Sequence, residues 1–106
     1  MIDMKLILDD KKLLLKDCTK FKNKLLGFMF KENIDYALRF KCKAIHTFFM
    51  REEIDVIVTN KDNKVLFIYN NLKKNKIIIK KNAYYFYELP SSFNTYKIND
   101  TLNIQD

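Results

Sequence analysis

The apolar residues of this 106-residue chain fall in short runs separated by charged or Asn-rich breaks. Lys5–Leu8 and Leu13–Lys16 flank Asp9-Asp10-Lys11-Lys12, a pattern that predicts an opening β-hairpin with a charged turn. Phe21, Leu25 and Phe28 then recur at helical spacing behind Thr19, whose hydroxyl suits an N-cap, so a short helix is expected over residues 19–28. Gly27, the only glycine, lies near its end, where it suits a C-terminal cap. After that the pattern changes to strands. Tyr36–Phe40, Ile45–Met50, Ile54–Thr59, Val65–Tyr69, Ile77–Ile79 and Tyr84–Leu89 are rich in the β-branched and aromatic residues that pack well on a pleated surface. Asn60-Lys61-Asp62-Asn63 reads as a hairpin loop, because Asn and Asp tolerate the left-handed backbone of tight turns, and Pro90, the only proline, ends the last long strand. The expected class is α+β: a β-rich, curled mixed sheet or small barrel with one early short helix, in a single domain over residues 1–106.

With 48% hydrophobic and 14% aromatic residues the chain has enough apolar material for a folded core. Charge interrupts Met1-Ile2-Asp3-Met4-Lys5, which does not read as an export signal, and no apolar run approaches the roughly 20 residues that span a bilayer. A soluble, cytoplasmic protein is expected. Cys18 and Cys42 lack the Cys-x-x-Cys spacing of a metal or redox site and read as unbridged thiols packed as small hydrophobes. The net charge of +7 invites an anionic partner, yet Lys supplies nearly all of it, with only Arg39 and Arg51 beside it. In a chain also rich in Ile and Asn this is what AT-rich coding gives, and base readers favour the planar fork of Arg.

Three blocks recur in order: Leu26-Gly27-Phe28-Met29-Phe30, then Ile45-His46-Thr47-Phe48-Phe49-Met50 with Ile54-Asp55-Val56-Ile57, then Glu88-Leu89-Pro90. Over residues of about 19–104 the chain resembles the bacterial and archaeal family catalogued as domain of unknown function 192. It departs from that pattern at Asn63, where a glycine is usual, at Ser91-Ser92 in place of Ala-Gly, at Ile98-Asn99-Asp100 in place of a Gly-Asp turn, and at Glu53, where proline is common. Lys73-Lys74-Asn75-Lys76 lacks the proline and aromatic often found there. The resemblance implies a small β-rich α+β fold with a barrel-like sheet and brings no established activity, so function is argued from residues.

If Ile45–Met50 is a strand, His46, Phe48 and Met50 alternate on one face and Thr47, Phe49 and Arg51 on the other. His46 is either a structural histidine or a pocket-lining acid or base. Asp55, between Ile54 and Val56, is expected to be buried at least in part, and so to need Arg39, Arg51, His46 or backbone donors. Glu88, after four aromatics and just before the strand-ending Leu89-Pro90, suits either a pocket mouth or a bond to the backbone of the next turn. The Lys73, Lys74, Lys76, Lys80, Lys81 cluster with Tyr84, Tyr85 and Tyr87 offers phosphate attraction and stacking faces. A phosphate loop is excluded by the single glycine, and no His-Glu-x-x-His or Gly-x-Ser-x-Gly signature occurs, so no metal or cofactor is implied. The leading expectation is a non-catalytic accessory domain that binds a small molecule or protein partner in a cleft lined by His46, Phe49, Met50, Asp55 and Glu88. An enzyme of unknown reaction using Glu88 or Asp55 as acid or base is the alternative. A weak nucleic-acid or anionic-partner binder acting through the Lys-rich loop is the third.

Overall fold

The computed structural model describes residues 4–18 and 33–106, and among them every regular element is a strand. In chain order these are β1 (Met4–Leu8), β2 (Lys11–Asp17), β3 (Ala37–Lys41), β4 (Ala44–His46), β5 (Ile54–Thr59), β6 (Val65–Leu72), β7 (Ile77–Ile79), β8 (Tyr85–Pro90) and β9 (Asn103–Gln105). Seven of them form one sheet in the order β6-β5-β8-β3-β2-β1-β9, and β4 pairs with β7 in a separate ribbon. The sheet is mixed because β2 and β3 run parallel, with Leu15 opposite Ala37, while its other pairings are antiparallel. A parallel return needs a long connection, and residues 18–36 separate the two strands in sequence.

The β1–β2 hairpin forms as its pattern predicts but with a tighter turn: Leu8 already pairs with Lys11, leaving Asp9-Asp10 as the loop. Asp9 takes φ 44°, the left-handed backbone such loops use. All six residues of β5, Asp55 and Thr59 included, are buried, as a strand between two neighbouring strands and covered on both faces should be.

Strand parity divides the core in two. Val56, Val58, Leu38, Phe40 and Phe86 point to a first face, where Met50, Ile78 and Ala83 join them and the β4–β7 ribbon closes over the top. Ile57, Tyr87, Leu89, Leu6 and Leu15 point to the second, covered by Phe93, Tyr96 and Leu102 of the chain after β8. That chain also curls the sheet into a half-barrel. Val65 N–H donates to the Asp100 carbonyl (2.8 Å), and Asn99 N–H to that of Val65 (2.9 Å), before β9 adds to β1 at the opposite edge.

The α+β expectation is therefore corrected to an all-β class over the described residues. Both sheet faces are covered there by a strand ribbon and by irregular chain. The helix expected at 19–28, and with it the Leu26–Phe30 block, lies outside the described residues.

Candidate functional site

The expected strand Ile45–Met50 ends at His46, because Thr47 turns the chain and spends its hydrogen bonds on the loop joining β6 to β7. Thr47 N–H donates to the Lys76 carbonyl (2.9 Å), and its carbonyl accepts from Asn75 N–H (3.2 Å). Its Oγ1 donates to the Lys73 carbonyl (2.8 Å) and accepts from Lys76 N–H (2.9 Å). At 1% exposure Thr47 is a buried pin between two loops. Met50 N–H closes the turn onto the Thr47 carbonyl (3.3 Å), which puts Phe49 at φ 63°, a conformation that turns usually give to Gly or Asn.

Between the pinned loops lies a groove of about 350 Å³ lined by Met50, Arg51, Glu52, Glu53, Lys73 and Lys74. Met50 is buried and gives it an apolar floor. The Glu52 carboxylate accepts the backbone N–H groups of Asn33 (3.0 Å) and Ile34 (3.3 Å), so its charge is committed to the protein's own donors. Arg51, Lys73 and Lys74 share the rest of the lining with Glu53. Sequence reasoning found Met50 and the lysines but not Thr47 or Glu52, since a Thr within an apolar run reads as an ordinary strand residue.

Asp55 is 1% exposed, with both oxygens occupied: Oδ1 accepts Asn71 N–H and Oδ2 accepts Asn94 N–H, each at 2.8 Å. It sits where the β5–β6 register slips between Ile54 and Val56, and Asn71 takes φ 52° to reach it. The Asn71 side chain in turn accepts the hydroxyls of Ser91 and Ser92, tying the segment after Pro90 to the end of β6. The partner is backbone rather than Arg39, Arg51 or His46. Arg39 pairs with Asp17 instead (2.9 Å). Burial opposes the Arg39 charge, but hydrogen bonds to Asp17 and Tyr87 outweigh it and hold the guanidinium protonated beyond its ordinary range.

Glu88 is 5% exposed and lies opposite Leu38 and Val56, on the first face, whereas Asp55 lies opposite Leu89, on the second. Cross-strand partners share a face, so the two carboxylates are on opposite sides of the sheet and do not form an acid–base pair. Burial, and after it the Glu88 carboxylate, pushes the Cys18 thiol up from 9.0 to about 11. His46 is on the outside of the ribbon, its Nδ1 accepting Phe48 N–H (3.2 Å) and its ring stacked on Phe48 at 5.1 Å. The five residues expected to line one cleft are thus distributed, with Met50 and Glu88 sharing the first face. Met50 lines the groove, Glu88 lies in the first core, Asp55 is a clamp on the second face, and His46 and Phe49 are exposed.

The tyrosines do not form a stacking row either. Tyr87 is fully buried, the Arg39 guanidinium lies over Tyr85 (4.7 Å) and Lys41 over Tyr84 (4.9 Å). Among the described residues no three His, Cys, Asp or Glu side chains gather as a metal would require, and no helix is long and apolar enough to cross a membrane.

The sequence matches no protein-family model and no curated protein. Two solved structures share the fold. A presumed transcription regulator from Sinorhizobium meliloti 1021 superposes with a TM-score of 0.78 at 15% identity, over 95% of this chain and 91% of that one. A protein of unknown function from Novosphingobium aromaticivorans DSM 12444 does so with a TM-score of 0.76 at 11% identity, over 96% and 84%. At such identities the likeness shows the fold alone.

Proposed function

We propose that this protein is a non-catalytic binding domain that holds a small anionic molecule, a carboxylate or phosphate, in the groove between Met50–Glu53 and Lys73–Lys74. The observation that carries this reading is the lining itself: Arg51, Lys73 and Lys74 line the groove with buried Met50 and a single further carboxylate, Glu53, while Glu52 is engaged by backbone donors. At about 350 Å³ the groove is at the small end of ligand sites. Thr47 holds its two walls together before any ligand arrives, which lowers the ordering cost of binding.

An enzyme using Asp55 or Glu88 finds less support. Both Asp55 oxygens are bonded to backbone, and Glu88 faces the first core. Nucleic-acid binding has the presumed regulator among its fold neighbours and the +7 charge in its favour, but of the expected tyrosine row Tyr87 is buried and Tyr84 and Tyr85 are covered by Lys41 and Arg39. The three sequence blocks support a proposal of kinship with the domain of unknown function 192 family.

Thermal melts with inorganic phosphate and with citrate test the groove. A ligand that binds only the folded state raises the midpoint with concentration, and Lys73→Glu/Lys74→Glu should abolish that rise. An equal rise in the variant contradicts the assignment.

A further inference from the structure

We propose that the outer face of the β4–β7 ribbon, together with the Phe49 tip, docks onto an anionic lipid surface, a function separate from that of the groove. Strand parity turns Ile45 and Ile78 toward the first core and leaves Ala44, His46, Ile77 and Ile79 on the outside, with Ile79 opposite Ala44 and Ile77 opposite His46. Ile77 and Ile79 are 61% and 65% exposed and Phe49 is 63% exposed. These are the three most exposed large apolar side chains among the described residues, and the Thr47–Lys76 bond ties the turn that carries Phe49 to the residue before Ile77. Ordinary sheet surfaces turn polar side chains outward, so an outward Ile-x-Ile on a three-residue strand implies something that covers it.

Charge indicates what that is. No Asp or Glu occurs between Tyr36 and Arg51, or between Asn63 and Tyr87, the two segments that build the ribbon and its flanks. Exposed Lys76 precedes Ile77 at one end. At the other, Lys80 N–H donates to the Lys43 carbonyl (2.8 Å), and the Lys43 ammonium donates to the carbonyl of exposed Lys81 (2.6 Å). An apolar stripe with ammonium groups at both ends complements a surface whose headgroups are negative and whose interior is apolar. The flanking cations are lysines, hydrated point charges without the fork that picks out individual carboxylates, which favours a diffuse headgroup field over an acidic protein.

Co-sedimentation with phosphatidylcholine vesicles, with and without phosphatidylserine, tests this on the whole chain. Phe49→Asn/Ile77→Ser/Ile79→Ser removes the apolar stripe while Asn keeps the left-handed backbone, and Lys76→Glu/Lys81→Glu reverses the charge. None of these residues lines the groove, so the phosphate-dependent rise in melting temperature reports the groove independently, and each variant's melt shows that it is folded. The wild type should pellet with phosphatidylserine vesicles only, and be released at about 1 M salt, where the screening length falls to about 3 Å. Each variant should bind at least about tenfold more weakly, since each juxtamembrane Lys contributes on the order of a factor of five. Absence of binding to phosphatidylserine vesicles, binding that the apolar variant retains, or capture by polyglutamate in place of vesicles would each overturn the proposal.

Discussion

Asp55→Ala is the substitution whose cost the structure specifies most closely. The carboxylate is 1% exposed and accepts two backbone N–H groups at 2.8 Å, one from the end of β6 and one from the segment after β8. Hydrogen bonds to a charged acceptor contribute roughly 1.5–3 kcal/mol each, so two sum to about 3–6 kcal/mol. Relief of the carboxylate's own desolvation offsets part of this and leaves a net loss of about 3 kcal/mol. Against a typical domain stability of about 5–15 kcal/mol that is a large fraction. With a urea m-value of roughly 1.5 kcal/mol/M, the midpoint should fall by about 2 M. Asp55→Asn, nearly isosteric, keeps one acceptor and sets an amide donor against the other N–H, so it should recover little of the loss. Amide exchange should also quicken at Asn71 and Asn94. A urea midpoint within about 0.3 M of wild type for both variants, corresponding to less than about 0.5 kcal/mol, would refute the clamp.

Three further outcomes follow from buried side chains. Thr47→Val keeps the shape but removes the Oγ1 bonds to Lys73 and Lys76, so stability should fall by about 1–3 kcal/mol and the Lys76 amide should exchange faster; an unchanged melt and exchange rate contradicts the pin. The Cys18 thiol keeps its proton in the folded state up to about pH 11, whereas the unfolded chain releases it near 9.0, so its contribution to stability is intact below pH 9 and declines as the pH rises toward 11. Glu88→Gln removes the second cause of that shift, and the pH profile of alkylation at Cys18 should move downward; an unmoved profile separates Glu88 from the thiol.

What was legible in the sequence was whatever depends on neighbours along the chain. β5 and β7 appear with their expected bounds because each is a run of mostly β-branched residues between polar breaks. Asp55 was readable as buried from its flanking Ile54 and Val56, but not its donors, since Asn94 lies 39 positions away. The two carboxylates part on parity. A strand's side chains alternate, so the pairing of Asp55 with Leu89, and of Val56 with Glu88, decides which face each carboxylate takes, and one sequence does not reveal register. β9 escaped notice because Asn103–Gln105 carries one apolar residue and exists as a strand only through pairing with β1. The α+β class rested on one periodic segment, while the layers that cover the sheet come from the ribbon and the chain after Pro90, whose packing is set by tertiary contacts.

The most direct test of the groove is an amide chemical-shift titration of the whole protein with inorganic phosphate to ~10 mM, enough to load a site of millimolar Kd. Saturable shifts confined to Met50–Glu53 and Lys73–Lys74, and absent from Lys73→Glu/Lys74→Glu, are the result this account predicts. Shifts scattered over the lysines without saturation, or unchanged in the variant, would contradict it.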